Sequence, residues 1–266
     1  MAEENIGSIR PDFSLNGKLA IITGASAGIG KEIALAFAAA GAEIIVTART
    51  ESKLIELKNE VEKDGGKCDY LVNDITDIGQ IQQLADFIRK KLSKEDKDLV
   101  LVNNAGFGFT KPVVDVTQED FDLITATHLR GTFFCCQKIG EIMLEKNYGK
   151  IINLGSTWGY TTDAKKAPYC MAKAGIAHMS RAISTEWAPS GIRINTLAPT
   201  GTVTEFTQKT WESMPERAQG ILSRIKLGRF AYPSDHLGAA IFLASNASDF
   251  ITGQTIYVDG GFTAAG

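Results

Sequence analysis

Three residues in the second half of the chain, Ser156, Tyr169 and Lys173, are of types that together could move a proton to or from an oxygen atom. Tyr169 and Lys173 are four positions apart, so on a helix they lie on the same face. A free tyrosine has a pKa of about 10, and a neighbouring ammonium favours the phenolate and lowers that pKa. The hydroxyl of Ser156 could orient a substrate oxygen. The set suits the interconversion of a ketone and an alcohol.

A tyrosine and a lysine at this spacing are also common on the exposed faces of amphipathic helices, so the interpretation depends on what accompanies them. Ser156 ends an apolar run, GKIINLGS (149–156), which predicts a strand. The pair itself lies on a predicted helix that begins at residue 167. Open α/β sheets bind ligands at the carboxyl ends of their strands, where this serine would lie.

A glycine-rich loop is the second candidate site. The first predicted strand, KLAIIT (18–23), leads directly into TGASAGIG (23–30) and then into a helix. Gly24, Gly28 and Gly30 would allow a tight turn and let a phosphate group approach the helix N-terminus, where free N–H groups favour negative charge. Because no Gly-Lys-Ser/Thr follows, a loop of the ATP-binding type is disfavoured. The position of the loop favours a dinucleotide site.

Arg49 bears on which dinucleotide would be bound. After the second strand of such a site, an acidic residue binds the ribose 2′-hydroxyl of NAD(H), whereas an arginine accommodates the 2′-phosphate of NADP(H). This chain has Ala48-Arg49-Thr50 there, and a guanidinium can form two parallel hydrogen bonds to a phosphate. Alternatively, Arg49 is a solvated loop charge. We expect NADP(H) to be preferred, with NAD(H) as the alternative.

Apolar runs alternate with amphipathic stretches along the chain. The pattern predicts strands at 18–23, 43–48, 67–74, 98–104, 149–156, 192–199 and 255–261. It predicts helices at 31–41, 51–65, 77–92, 118–146, 167–188 and 234–245, with 118–146 as one long helix. Strands joined by helices pair in parallel through right-handed crossovers. We therefore predict an α/β fold with a doubly wound parallel sheet, in a single domain (18–266) after an N-terminal extension (1–17).

Composition narrows the class of protein. The 28 Lys and Arg residues against 31 Asp and Glu give a formal net charge of −3, whereas a nucleic-acid-binding surface would need a basic excess. No apolar run reaches the roughly 18 residues of a membrane helix, and the acidic N-terminus lacks the apolar core of a signal peptide. The four cysteines have no CxxC spacing, and the scattered histidines form no metal-binding motif. We expect a cytoplasmic protein without a nucleic-acid partner, a membrane partner or a bound metal.

In combination, these motifs resemble the short-chain dehydrogenase/reductase family. The resemblance rests on TGASAGIG (23–30), NDIT (73–76), NNAG (103–106), Ser156 with YCMAK (169–173), and TGQTIYVDGG (252–261). The motifs occur in the family's order and extend over residues 18–261. The resemblance implies a Rossmann-type fold, a nicotinamide dinucleotide cofactor, a small ketone or alcohol substrate and, commonly, a homotetramer.

The resemblance also implies roles for individual residues. Tyr169 would be the general acid/base, Lys173 would bind the nicotinamide ribose and lower the pKa of the tyrosine, and Ser156 would orient the substrate carbonyl. The other positions implied in cofactor binding are Gly24, Ser26, Gly28, Ile29, Gly30, Arg49, Asp74, Ile75, Asn104, Ala105, Gly106, Pro199 and Thr204. Among these, Asp74 and Ile75 would flank the adenine, and the segment from Pro199 to Thr204 would contact the carboxamide and the pyrophosphate.

Two positions depart from the family pattern. His128 occupies the place of an asparagine that supports a helix kink, where a main-chain carbonyl holds a relay water. A histidine could keep that carbonyl in place, relay a proton itself, or do neither. After the sixth strand, the Pro-Gly of the family is here Pro199-Thr200-Gly201, so the glycine is displaced by one position.

The sequence leaves the substrate open. The loops expected around the nicotinamide (105–116, 157–168 and 200–230) carry large side chains that could hold an apolar or ring-shaped substrate, or pack a lid or a subunit contact. These are Phe107, Phe109, Trp158, Tyr160, Phe206, Trp211 and Met214. Lys111, Lys165 and Lys166 could instead attract a carboxylate.

Longer segments favour two types within the family. GFGFTKPVVDV and NASDFITGQTIYVDGG resemble the gluconate 5-dehydrogenase type, and GKEIALAFAAAGA resembles a bacterial hydroxysteroid dehydrogenase type. A cofactor-binding protein that has lost catalysis is the alternative class, and His128 is its only support. A hydrolase is disfavoured, because Ser156 lies in LGSTW and not in a GxSxG elbow.

Overall fold

The computed structural model describes residues 11–264, so most of the predicted N-terminal extension and the last two residues lie outside the described part. The strands are β1 (Lys18–Thr23), β2 (Glu43–Ala48), β3 (Cys68–Val72), β4 (Asp98–Asn103), β5 (Gly149–Leu154), β6 (Ile192–Pro199) and β7 (Thr255–Val258). The helices are α1 (Gly28–Ala39), α2 (Glu51–Lys63), α3 (Ile78–Leu92), α4 (Gln118–Thr125), α5 (Thr132–Lys146), α6 (Ala167–Trp187), α7 (Glu205–Ser213), α8 (Pro215–Leu222) and α9 (Leu237–Ala244).

In residues 11–264 the strands form one parallel seven-stranded sheet in the order β3-β2-β1-β4-β5-β6-β7. The chain builds outward from β1 to β3, crosses back to β4, and then builds outward in the other direction. The crevice between the carboxyl ends of β1 and β4 is therefore the topological switch point, where sheets of this kind bind ligands. The predicted doubly wound, Rossmann-type parallel sheet is confirmed.

Helices cover both faces of the sheet, and successive residues of each central strand belong to opposite layers of the core. In β1, Ala20 and Ile22 pack in the layer that contains α1, α2 and α9. Leu19 and Ile21 pack in the layer that contains α3 and α5. This double coverage explains why the strands have continuous apolar sequences, with every residue of β1 buried.

The prediction of one continuous α-helix at 118–146 was wrong in its middle part. A π-helical turn, Ala126–Gly131, separates α4 from α5 and contains His128. At Gly131 the turn lies against the loop that follows β3, because an added Cβ would be 2.6 Å from the carbonyl oxygen of Ile75. A π-helical turn inside an α-helix is rare and has no sequence signal of its own, which is why the periodicity did not predict it.

The segment 200–230, expected as a loop, contains α7 and α8. Trp211 of α7 stacks on Phe230 with ring centroids 3.9 Å apart, and this contact holds the segment as a small lobe beside the carboxyl edge of the sheet. The predicted helix at 234–245 begins as a 3₁₀ turn, Pro233–His236, and continues as α9.

The described end of the predicted N-terminal extension packs against the domain. Leu15 is fully buried, and its amide donates to the carbonyl of Ala40 at the end of α1 (2.9 Å). The boundary at residue 18 stays a prediction. Among residues 11–264, no helix is both long and apolar enough to cross a membrane, and no group of three or more potential ligands could hold a metal ion.

Candidate active site

The carboxyl edge of the sheet brings the predicted site residues together. Gly24 follows β1, Asn104 follows β4, Ser156 follows β5, and Pro199 ends β6. The side-chain amide of Asn104 donates through Nδ2 to the carbonyls of Thr23 and Gly24, both at 2.9 Å, and so connects the end of β4 to the glycine loop. Segments that are 80 residues apart in the chain thus share one crevice.

The glycine loop needs its glycines. Gly24 and Gly28 have φ angles of +65° and +60°, which residues other than glycine rarely adopt. A Cβ on Gly24 would lie 2.6 Å from Cα of Ala105, and a Cβ on Gly30 would clash with the side chain of Asn104. The loop therefore lies directly against the end of β4.

The N-terminus of α1 fits a phosphate group. The helix begins at Gly28, and the preceding Ala27 provides no side-chain capping bond to the first-turn N–H groups. Unpaired N–H groups at a helix N-terminus bind phosphate, and the small residues around them let a ligand approach the backbone. Ser26 and Ile29, both predicted cofactor contacts, are partly buried in this loop.

Thr204 closes the other side of the loop. A Cβ added to Gly28 would lie 3.3 Å from Cγ2 of Thr204. Oγ1 of Thr204 accepts a hydrogen bond from the backbone amide of Thr207 (3.2 Å) and so caps α7. The displaced Gly201 packs on Phe230, since an added Cβ would be 3.0 Å from Cδ1 of that ring. The sequence departure at Pro199-Thr200-Gly201 therefore leaves Thr204 beside the glycine loop.

A buried histidine that the sequence analysis did not single out supports this segment. Nε2 of His236 lies 2.9 Å from Oγ1 of Thr202, which in turn donates to the carbonyl of Thr200 (2.9 Å). Burial lowers the pKa of His236 to about 4, so the ring is neutral at neutral pH. Nothing in the local sequence indicates this contact, because the two residues are 34 positions apart.

The far end of the crevice contains Arg49 and Asp74. The amide of Asn73 donates to the carbonyl of Ala48 (2.9 Å), which places the end of β3 beside Arg49. Arg49 is exposed and, within residues 11–264, makes no hydrogen bond or ion pair. The Asp74 carboxylate accepts the amide (2.9 Å) and the hydroxyl (2.8 Å) of Thr76, while Ile75 is buried. The guanidinium is thus free to meet a ligand.

Ser156, Tyr169 and Lys173 meet at the end of β5. Oγ of Ser156 accepts the amide of Trp158 (3.1 Å), which fixes the turn after the strand. Gly159 in that turn lies against α6, because an added Cβ would be 2.9 Å from the carbonyl carbon of Lys173. Tyr169 lies in the first turn of α6 and Lys173 in the second.

Burial shifts the pKa values of the tyrosine and the lysine in opposite directions. It raises the pKa of Tyr169 to about 12, and the hydroxyl of Ser156 acts in the opposite direction. It lowers the pKa of Lys173 to about 7. The amine donates to the carbonyl of Leu154 (2.6 Å) and lies 5.6 Å from the centre of the Tyr169 ring. In this arrangement the hydroxyl of Ser156 opposes the rise in the pKa of the tyrosine, and the predicted effect of Lys173 on that pKa stays a prediction.

His128 is buried beside the tyrosine. Its Nε2 lies 2.7 Å from the carbonyl oxygen of Phe107, so Nε2 carries the proton and donates. Its ring meets the ring of Tyr169 edge-on, with centroids 5.4 Å apart. Burial and the charge of Lys173 lower the pKa of His128 to about 3. A ring that stays neutral is better suited to holding the loop at Phe107 than to taking up a proton.

Four of the seven large side chains predicted around the substrate fall into two groups. Trp158 lies edge-on to Tyr169 with ring centroids 6.1 Å apart, and Phe107 lies 5.9 Å from His128, so both border the reaction site. Tyr160 and Phe206 are mainly exposed, at 71% and 59%. The three predicted lysines also differ: Lys111 is paired with Asp120, Lys165 is exposed, and Lys166 lies near the rings of Trp158 and Tyr169.

A family model described as enoyl-(acyl carrier protein) reductase matches residues 24–263, which is most of the chain. D-Threitol dehydrogenase of Mycolicibacterium smegmatis is 35% identical over 256 residues, covering 96% of each chain. The chain belongs to the short-chain dehydrogenase/reductase family. The predicted enzyme class, a short-chain NAD(P)-dependent dehydrogenase/reductase, is confirmed.

Other relatives in this family are named for sugar acids. Gluconate 5-dehydrogenase of Gluconobacter oxydans is 32% identical over 256 residues, covering 96% of this chain and 98% of that protein. The crystal structure of a gluconate 5-dehydrogenase from Burkholderia cenocepacia, in complex with NADP and tartrate, superimposes with a TM-score of 0.89 at 32% identity. The superposition covers 96% of this chain and 99% of that one. The resemblance to the gluconate 5-dehydrogenase type is thus confirmed.

Proposed function

We propose that this short-chain dehydrogenase/reductase uses NADP(H) to interconvert a ketone and a secondary alcohol, with Tyr169 as the general acid/base. The observation that carries the proposal is the meeting of Ser156, Tyr169 and Lys173 at the carboxyl end of β5. The three lie in the crevice that the glycine loop also borders. This arrangement supports the proposal, because Tyr169 as proton donor, Ser156 as orienting hydroxyl and the Lys173 amine would then lie within reach of a bound nicotinamide.

The residues that would hold the dinucleotide follow the crevice from end to end. Gly24, Ser26, Gly28, Ile29 and Gly30 would surround the pyrophosphate at the start of α1. Asp74, Ile75, Asn104, Ala105 and Gly106 would border the adenosine, and Pro199, Thr204, Tyr169 and Lys173 the nicotinamide half. When bound, the nicotinamide ring supplies or accepts the hydride.

Proton transfer would belong to the chain's own residues. In ketone reduction, the Tyr169 hydroxyl donates its proton to the substrate oxygen while Ser156 donates a hydrogen bond to the same oxygen. Burial favours the protonated phenol, as the raised pKa of Tyr169 shows. Lys173, with a pKa lowered to about 7, can take up and release a proton at neutral pH and so return one to the phenolate. In alcohol oxidation each transfer runs backward.

Arg49 supports the choice of NADP(H). It follows β2 and is exposed at the crevice, and the neighbouring Asp74 carboxylate is engaged by Thr76. A guanidinium with no partner among the described residues can pair with the 2′-phosphate. NAD(H) is the alternative, and a comparison of the two cofactors decides between them.

A sugar-acid dehydrogenase of the same family is the second candidate function. It is favoured by the relatives named gluconate 5-dehydrogenase and by the neighbour that holds NADP and tartrate. The hydroxysteroid alternative has less support, because Tyr160 and Phe206, two of the large side chains that could hold a ring-shaped substrate, are mainly exposed. A catalytically impaired protein is opposed by the intact trio of Ser156, Tyr169 and Lys173.

Assembly as a homotetramer and a cytoplasmic location stay predictions. Exposed apolar side chains on α4, α5 and α6 support assembly: Phe121, Leu123, Phe133 and Met171 are each 42–50% exposed. Light scattering of the purified protein tests the predicted assembly.

The function is tested by following nicotinamide absorbance with a panel of ketones, secondary alcohols, hydroxysteroids and sugar acids, each with NADPH or NADP⁺ and with NADH or NAD⁺. We expect turnover of at least one ketone/alcohol pair, faster with NADP(H). Dinucleotide binding without turnover of any pair would favour a cofactor-binding protein that has lost catalysis. Equal rates with NADP(H) and NAD(H) would show that Arg49 does not select NADP(H).

A further inference from the structure

Lys166 differs from the other lysines near the reaction site. Lys111 forms an ion pair with Asp120, and Lys165 projects into solvent. Lys166 immediately precedes α6 and is partly buried. Within the described part of the chain, its amine has neither a hydrogen-bond partner nor an ion-pair partner. Among the described residues, no carboxylate therefore lies within ion-pair distance of this amine.

The amine of Lys166 lies on the same wall of the cleft as the phenol of Tyr169. Its Nζ is 5.8 Å from the centre of the Tyr169 ring and 5.6 Å from that of Trp158. From the opposite loop, a Cβ added to Gly108 would lie 3.7 Å from this Nζ and 3.3 Å from Cδ2 of Tyr169. The absence of a side chain at Gly108 thus keeps open a space that both groups border.

The surrounding loops hold this arrangement in place. The carbonyl of Lys165 accepts the amide of Lys111 (2.9 Å), which joins the loop after β4 to the loop before α6. Asp163, the acidic residue closest in sequence to Lys166, is committed to an ion pair with Arg217. Arg217 also donates to the carbonyl of Ala164 (3.3 Å). The nearby carboxylate therefore already has a partner.

Two further observations indicate a ligand at this place. Nε1 of Trp158 is buried and has no partner in residues 11–264, so the ring whose centre lies 5.6 Å from the amine also carries an unsatisfied donor. The cation–π contacts of Lys166 are near the roughly 6 Å limit at which such contacts stabilise a cation, so they offset little of its desolvation. Burial and the charge of Arg217 lower the pKa of Lys166 to about 8, against the opposing charge of Asp163, which leaves most of the amine protonated at neutral pH.

We propose that Lys166 binds a carboxylate of the substrate, and hence that the substrate is a hydroxy acid or keto acid whose carboxylate lies a few carbon atoms from the reacting carbon. The inference rests on the proposed function, because it assumes that the substrate oxygen lies at Tyr169. It names the substrate class and the residue that selects it. An ammonium in a partly desolvated site gains most from a charged acceptor.

The first test is an equilibrium titration of the NADPH complex, which cannot oxidise an alcohol, with D-gluconate and with D-glucitol, which differ only in a carboxylate or a CH₂OH group at C1. We expect wild type to prefer D-gluconate. K166M should lower its affinity for D-gluconate by about 10-fold to 100-fold, the size of one hydrogen bond to a charged group, and so abolish most of the preference. K166R should retain most of it, because the charge remains.

K165M is the matched control, since it removes a neighbouring lysine that is exposed, and it should bind D-gluconate as wild type does. Three results would overturn the proposal: wild type without a preference for D-gluconate, K166M with unchanged affinity for it, or equal losses in K166M and K165M. Circular dichroism and NADP⁺ affinity establish that each variant is folded.

The titration separates this inference from the proposed function. If no ketone or alcohol is turned over but D-gluconate binding depends on Lys166, the proposed reaction fails and the carboxylate site stands. If neutral ketones are turned over while acids are neither bound nor turned over, the reaction stands and the carboxylate site is rejected. With an acid substrate, K166M should raise KM much more than it changes kcat, a split that a general loss of structure would not produce.

Discussion

The amine of Lys173 lies one helical turn beyond Tyr169, 5.6 Å from the centre of its ring, and donates to the carbonyl of Leu154. Burial at this place raises the pKa of the phenol to about 12 and lowers that of the amine to about 7. The phenol therefore holds its proton at neutral pH, while the amine can exchange one. Two titratable groups whose pKa values are shifted apart are a mark of acid–base sites.

The first prediction concerns the phenolic hydroxyl. Y169F should lower kcat by about 10²-fold to 10⁴-fold, the usual contribution of a general acid, because the ring remains but the proton donor is gone. NADPH binding, measured by fluorescence titration, should be retained while turnover falls. The matched control is Y160F, which removes a hydroxyl from an exposed tyrosine of the neighbouring turn. Unchanged turnover in Y169F would refute the proton-donor role.

The second prediction concerns Arg49. R49A should weaken NADPH binding by about 10-fold to 100-fold, the size of one or more charge-assisted hydrogen bonds to the 2′-phosphate, and should change NADH binding little. R49K should be intermediate, because a lysine keeps the charge but lacks the planar fork. Dissociation constants from fluorescence titration with both cofactors provide the measurement. Equal losses for the two cofactors would mean that Arg49 does not read the 2′-phosphate.

The third prediction concerns the glycine loop. In G30A, the new Cβ would lie 2.7 Å from the carbonyl oxygen of Gly24 and would also clash with the Asn104 amide. Overpacking of this kind costs about 1 to 3 kcal/mol, so the urea midpoint should fall, and dinucleotide affinity should fall with it. Gly220 of α8 is the control, because nothing lies within 4 Å of an added Cβ there.

G220A should therefore stabilise the protein slightly, by about 0.5 to 1 kcal/mol, through the gain in helix propensity. The decisive result is that G30A lowers the free energy of unfolding whereas G220A raises it. If G30A unfolds at the same urea concentration as wild type, the contact between the glycine loop and the end of β4 is looser than the structure shows.

The fourth prediction concerns stability in acid. The pKa of His236 is lowered to about 4, whereas an unfolded histidine titrates at about 6.5. Between these values the unfolded chain binds a proton that the folded chain does not, so stability falls as the pH decreases through this range. At pH 5 the loss from this one residue is about 2 kcal/mol relative to pH 7.5.

Urea unfolding at both pH values measures this effect. H236Q should lose less stability between pH 7.5 and pH 5 than wild type, because the titrating group is gone. H178Q removes an exposed histidine of α6 and should keep the wild-type loss. Identical losses in H236Q and wild type would mean that His236 can be protonated without unfolding.

The sequence was enough to predict the fold and to predict which residues lie together at the carboxyl edge of the sheet. Strand and helix signals depend on the spacing of apolar residues within about ten positions, and the glycine loop and the Tyr169–Lys173 spacing are equally local. These features therefore predicted the parallel sheet, its carboxyl-edge crevice and the residues that meet there. Where a local signal was missing, as in the π-turn around His128, the prediction was wrong.

Only the tertiary structure decided how these residues behave. The pKa values of Tyr169 and Lys173 depend on desolvation by segments that are distant in the chain. No rule based on residue spacing could therefore show that burial is the largest influence on the pKa of the phenol. In the same way, three lysines that looked alike in sequence became one ion-paired, one exposed and one partly buried beside the reaction site. The type and spacing of residues are local properties, whereas burial and pairing arise only when the whole chain has packed.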